Sequence, residues 1–161
     1  YLVARLLYPD EFVEELGLVG GGGGTAQGEQ VAAELRVRAD RVIFTTMIPS
    51  QEPCEFGGEG WLVELSYLSG RPPAGVLFDL DGSGGFNELG DTLEVERDGE
   101  TIALAPNAKK SQIGIIQQPA IVGDGSREYK YASGGMPADV EVTLENPGTA
   151  APGRAAWLEL Q

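Results

Sequence analysis

At 161 residues the chain has the length of one domain, and its 24 glycines and 10 prolines favour many short strands and turns over long helices. Acidic residues outnumber basic ones 25 to 11, and the net charge of −14 repels phosphate backbones and anionic membranes, which argues against nucleic-acid binding. With no histidine and a single cysteine, Cys54, the sequence excludes Ser-His-Asp triads, Cys-His dyads, histidine zinc sites and internal disulfides.

The first residue is Tyr1, with neither an initiator Met nor a signal peptide, so the sequence reads as a piece of a longer protein. Residues 1–8 (YLVARLLY) are apolar enough for a buried strand, with Arg5 their one charge. Pro9-Asp10-Glu11 suits a helix start, with acids at the positive end of the dipole. Phe12, Val13 and Leu16 give that short helix an apolar face, and Gly17 ends it. Residues 20–24 are five consecutive glycines, a flexible tether. So unbroken a run reads as an engineered join, which makes residues 1–19 a separate segment from the domain at 25–161; a natural loop is the alternative. No apolar run approaches the length of a membrane-spanning helix, so no membrane insertion is expected.

From residue 28 onward the period is two. Leu35 and Val37 alternate with Arg36 and Arg38, a turn falls near Ala39-Asp40, and residues 41–48 form a β-rich apolar run stopped by Pro49. Residues 49–60 make a polar loop containing Cys54. Trp61, Val63, Leu65 and Tyr67 then share one strand face, opposite Glu64 and Ser66. Arg71-Pro72-Pro73 is a stiff connector before a strand at 76–78.

That strand delivers residues 78–91, FDLDGSGGFNELGD, which nearly spell a calcium loop. Asp79, Asp81 and Ser83 take the first, third and fifth positions of the twelve-residue pattern. Gly84 takes the sixth, where the backbone turns sharply, with Phe86 at the apolar eighth and Asn87 at the ninth. Short oxygen-bearing side chains at alternate positions of a tight loop converge on a hard cation. The twelfth position is Gly90 instead of Glu, so an expanded loop closes on Asp91. The candidate calcium ligands are Asp79, Asp81, Ser83, Gly85, Asn87 and Asp91, with a solvated Asp/Gly/Ser turn as the competing reading. Eight acids between Asp79 and Glu100 are opposed only by Arg97, so cations or a basic partner suit this region.

Asp98-Gly99 joins two alternating segments as a two-residue hairpin turn. Its register sets Val95 opposite Ile102, Leu93 opposite Leu104, and Arg97 opposite Glu100. Strands follow at 112–117, 120–122, 127–133 (with Tyr129 and Tyr131 on one face, as packing or as interface anchors), 140–144 and 155–160. The fold class is all-β, mainly antiparallel: a β-sandwich or barrel-like domain with at most one short helix. Residues 1–7 and 155–160 are the strands best placed to pair with an added strand, and Trp61 and Trp157 read as core.

Three patches, in order, resemble the region that follows the β-propeller in the PilC/PilY family of type IV pilus tip proteins. They are residues 41–65 (RVIFTTMIPSQEPCEFGGEGWLVEL), the Asp-rich loop after Val76-Leu77-Phe78, and residues 111–122 (SQIGIIQQPAIV) with Glu145-Asn146-Pro147-Gly148 and Trp157. The propeller itself is absent, and Gly90 departs from the acid with which family loops often close. The resemblance implies an exported, extracellular protein at the pilus tip. It implies a non-enzymatic module that docks to the minor pilins and supports pilus assembly, adhesion to host cells and twitching motility. A calcium-stabilised carbohydrate- or host-binding sandwich is the alternative.

Overall fold

The computed structural model describes residues 28–31, 33–50, 57–87, 89–97, 99–135 and 139–148. The expectations for residues 1–19, the five-glycine run, Cys54, Trp157 and the strand at 155–160 lie outside them. Among the described residues ten strands form in the order β1 (Gln30–Val31), β2 (Arg36–Arg38), β3 (Arg41–Pro49), β4 (Gly58–Ser66), β5 (Leu93–Arg97), β6 (Glu100–Leu104), β7 (Ala108–Lys110), β8 (Ala120–Gly123), β9 (Glu128–Ser133) and β10 (Val140–Glu145). The described residues contain no helix. The fold is all-β, and every strand pairing among the described residues is antiparallel.

The larger sheet runs β1-β3-β4-β7, with β2 also paired to β3, and the smaller runs β10-β9-β8. Strands β3 and β4 pair over their whole length, from Arg41 opposite Ser66 to Pro49 opposite Gly58, so the apolar run extends one residue past its expected stop. Pro49 ends it at an exposed position. The hairpin of β5 and β6 has the register expected from its pattern, Leu93 opposite Leu104 and Arg97 opposite Glu100, and stands as a sheet of its own.

The two sheets face one another across Ile43 and Leu62 of the larger and Ala132 of the smaller, with Leu77, Phe78 and Ile116 from the connections filling the same core. Charge crosses this interface as well. Arg38 Nε lies 2.8 Å from Glu128 Oε1, and Lys109 Nζ lies 3.0 Å from Glu141 Oε1. The opposite face of β3 and β4 is also buried, through Phe44, Val63 and Leu65. Both faces of this strand pair are therefore covered, and the polar face that the alternation at Glu64 and Ser66 predicts is an interior one at Glu64.

Residues 112–117 do not form the expected strand. Ile116 makes a single bridge to Gly134, and Ile113 and Ile116 pack into the core. The segment instead clasps the two sheets together. Ser111 N–H donates to Gly60 O at 2.8 Å on the larger sheet, and Gln117 N–H to Ser133 O at 3.0 Å on the smaller. Gly60 permits the approach, because a β-carbon there would meet Gly114 O at 2.5 Å. Likewise, residues 76–78 contribute one bridge, Phe78 to Glu145, in place of a full strand.

Candidate metal centre and exposed sheet face

The Asp-rich loop is anchored where the sheets meet. Phe78, fully buried, bridges Glu145; Asp79 N–H donates to Leu144 O at 3.1 Å and Asn146 N–H to Leu77 O at 2.9 Å. The loop then turns on Gly82 and Gly84, both at positive φ (73° and 76°), a conformation glycine adopts without steric cost.

This path brings Asp79, Asp81 and Asp91 together, with one carboxylate oxygen of each within 4.8 Å of the others. Asp91 is the buried member. Its Oδ1 accepts from Leu80 N–H at 2.6 Å and Asp81 N–H at 3.3 Å, and its Oδ2 from Asn87 N–H at 2.9 Å. Asp79 Oδ2 accepts from Gly84 N–H at 3.0 Å, while its Oδ1 is buried without a hydrogen-bond partner. Asp81 Oδ1 accepts from Ser83 N–H at 2.8 Å, and the Ser83 hydroxyl and amide hold its carboxyl below the ordinary value.

Of the other residues singled out in the sequence, Ser83 Oγ accepts from Gly85 N–H at 3.3 Å, and Asn87 Oδ1 caps Leu89 and Gly90 N–H at 3.0 and 3.1 Å. These two side chains shape the loop; the three aspartates gather at its centre. Three carboxylates this close repel one another unless a cation or protons compensate them. The chemistry of the set, all hard oxygens with one buried lone oxygen on Asp79, fits calcium or a similar hard cation.

A second feature lies on the smaller sheet. Its inner face carries Glu128, Lys130, Thr143 and Glu145, all buried, and its outer face carries Val122, Tyr131, Val140 and Val142, which keep 59%, 42%, 58% and 48% of their surface. Tyr131 sits between Ala120 and Val142 in register, and Tyr129 between Val122 and Leu144, so the apolar residues are contiguous. The outer face is thus strongly apolar, while the inner face mixes these polar groups with Ala132 and Ile121. Sequence reading found the two tyrosines, but it did not find the valines around them, because alternation alone does not say which face points inward.

Together these features define an all-β scaffold with an acid-rich loop at one end of the sheet interface and an apolar sheet face left open. Among solved structures, the fold is similar to the Pseudomonas aeruginosa PilY1 C-terminal domain, with a TM-score of 0.55 and 17% sequence identity over 81% of this chain and 23% of that one. The chain thus spans about a quarter of the length of the structure it matches. At the level of fold this bears out the resemblance read from the sequence. No family model and no curated protein matches the chain.

Proposed function

We propose that the chain is a non-enzymatic interaction module of an extracellular type IV pilus tip protein, docking to the minor-pilin tip complex and so supporting pilus assembly, adhesion and twitching motility. The observation that carries the docking role is the apolar outer face of β8–β10, where Val122, Tyr131, Val140 and Val142 are all exposed. Contiguous exposed apolar surface rimmed by polar residues is characteristic of protein-binding faces, and a tyrosine at its centre is a common energetic anchor. The PilY1-like fold supports the pilus setting. The strong negative charge favours a partner with a basic rim.

In the same reading, Asp79, Asp81 and Asp91 hold calcium, with Ser83, Gly85 and Asn87 shaping the loop around it. The ion supplies charge compensation, which lets the loop keep one conformation beside the sheet interface. Extracellular calcium modules bind with dissociation constants of roughly 10⁻⁴ to 10⁻³ M.

The test is capture of a purified minor-pilin complex by the immobilised chain. Wild type is expected to retain the complex, and Val142→Glu to lose it with an unchanged melting temperature. Failure of the wild type to capture the complex, or undiminished capture by Val142→Glu, contradicts the reading.

A further inference from the structure

Between the two sheets lies a group of ionisable side chains that neither the acidic loop nor the outer face uses. Lys130 of β9 keeps 1% of its surface, and its Nζ donates to Glu64 Oε1 of β4 and to Glu145 Oε2 of β10. Glu64 and Glu145 are both fully buried.

The two glutamates are not equivalent. Glu64 Oε2 also accepts from Arg41 Nη1 at 2.8 Å, so Glu64 has a second, buried cation beside it. Glu145 has no second cation beside it among the described residues, and its Oε1 is buried without a hydrogen-bond partner. Burial, and then the neighbouring Glu64 charge, push its carboxyl well above the ordinary value, against the pull of Lys130. One nitrogen is thus held between a carboxylate with a second cation beside it and a carboxyl that favours its neutral form. The site is closed to water. Amide formation needs this set: an amine freed of its proton, a neutral acyl group within reach, and little competing water.

We propose that Lys130 and Glu145 join through an isopeptide bond that the chain forms by itself, with Glu64 as the proton acceptor. Glu64 takes a proton from the Lys130 ammonium, and the neutral amine attacks Cδ of the protonated Glu145 carboxyl. The new C–N bond forms, the C–O bond to the hydroxyl breaks, and the hydroxyl leaves as water with a second proton from the amine. The products are a neutral amide, a protonated Glu64 and one water, and no oxidant or cofactor enters. The register allows it, because Lys130 pairs with Thr143, which puts Glu145 two residues along the same inner face of the adjacent strand. The bond staples β9 to β10, the two strands that carry Tyr131 and Val142 on their outer side, and its formation removes the buried charges of the Lys130 ammonium and the Glu64 carboxylate.

Intact mass spectrometry of the full chain under denaturing conditions tests this directly. The expected mass is one water, about 18 Da, below that of the sequence, and digestion should release a branched peptide holding Lys130 and Glu145. Lys130→Arg should restore the full mass, and Glu64→Gln should slow or abolish the loss of water. A wild-type chain at full sequence mass overturns the proposal, as does a deficit that persists in Lys130→Arg. A branch from Lys130 to Glu64 overturns the choice of Glu145, and unslowed bond formation in Glu64→Gln overturns the role given to Glu64.

Discussion

Gly90 lies so close to Asp81 that a β-carbon at position 90 would overlap the Asp81 carboxylate. Any side chain at the twelfth position of this loop therefore requires the exposed Asp81 carboxylate to turn aside. The closing carboxylate comes from Asp91 instead, whose side chain reaches the loop centre from one residue further on.

Asp91 and Asp81 are expected to fail differently. Asp91→Ala removes a buried acceptor of three loop N–H groups and should cost about 1–3 kcal/mol with or without calcium. Asp81→Ala, at an exposed position, should change stability little in chelator but abolish the stabilisation by calcium. That stabilisation is about 1.4 kcal/mol at ten times the dissociation constant. Thermal unfolding in calcium and in chelator checks both, and an undiminished calcium response in Asp81→Ala would move the site elsewhere.

Acid should remove the contribution of two turn carboxylates. The Ser83 hydroxyl and amide hold Asp81 below its ordinary value, and the Ser126 hydroxyl and amide, with the Arg127 amide, do the same for Asp124 in the β8–β9 turn. Both folded-state values lie below the unfolded value of 3.8, so their contribution is present above that pH and is lost as pH falls through the depressed values. Between about pH 5 and about pH 2 the melting temperature of the wild type should fall relative to that of the Asp81→Asn, Asp124→Asn double variant.

The clasp between the sheets depends on Gly60. A β-carbon there would also lie 2.9 Å from Ile116 N, and both obstructing atoms are backbone. Gly60→Ala should destabilise by about 1–3 kcal/mol in urea unfolding. Gly135→Ala, where the nearest atom is Ile115 O at 4.0 Å, should stay within about 0.5 kcal/mol.

The β2–β3 turn carries a small, removable strain. Ala39 has φ of 53°, the left-handed region that disfavours a β-carbon. Ala39→Gly should stabilise the chain by about 0.5–1 kcal/mol, the relief of strain exceeding the added freedom of glycine in the unfolded state. A lower urea midpoint in that variant would contradict the assignment.

Local pattern made some of this legible in the sequence. The hairpin register at Arg97 and Glu100, the turn at Ala39 and the meeting of Asp79, Asp81 and Asp91 all follow from residues close together in the chain. What the pattern did not carry was long-range. Residues 112–117 alternate well enough for a strand, yet contacts to Gly60 and Gly134, each far off in sequence, hold them as a clasp. Strand β7 (Ala108–Lys110) is too short and too polar to signal itself. Glu64 looks like a solvent-facing residue until Arg41 and Lys130 arrive from other strands to neutralise it.

The docking face is the central claim, and hydroxyl-radical footprinting of the chain with and without the minor-pilin complex tests it most directly. Tyr131 and Tyr67 are both open in the free chain, at 42% and 51% of their surface, and Tyr67 lies outside the smaller sheet. The account predicts that the complex protects Tyr131, Val140 and Val142 from labelling while Tyr67 stays reactive. Protection of Tyr67 with Tyr131 left fully reactive would contradict it.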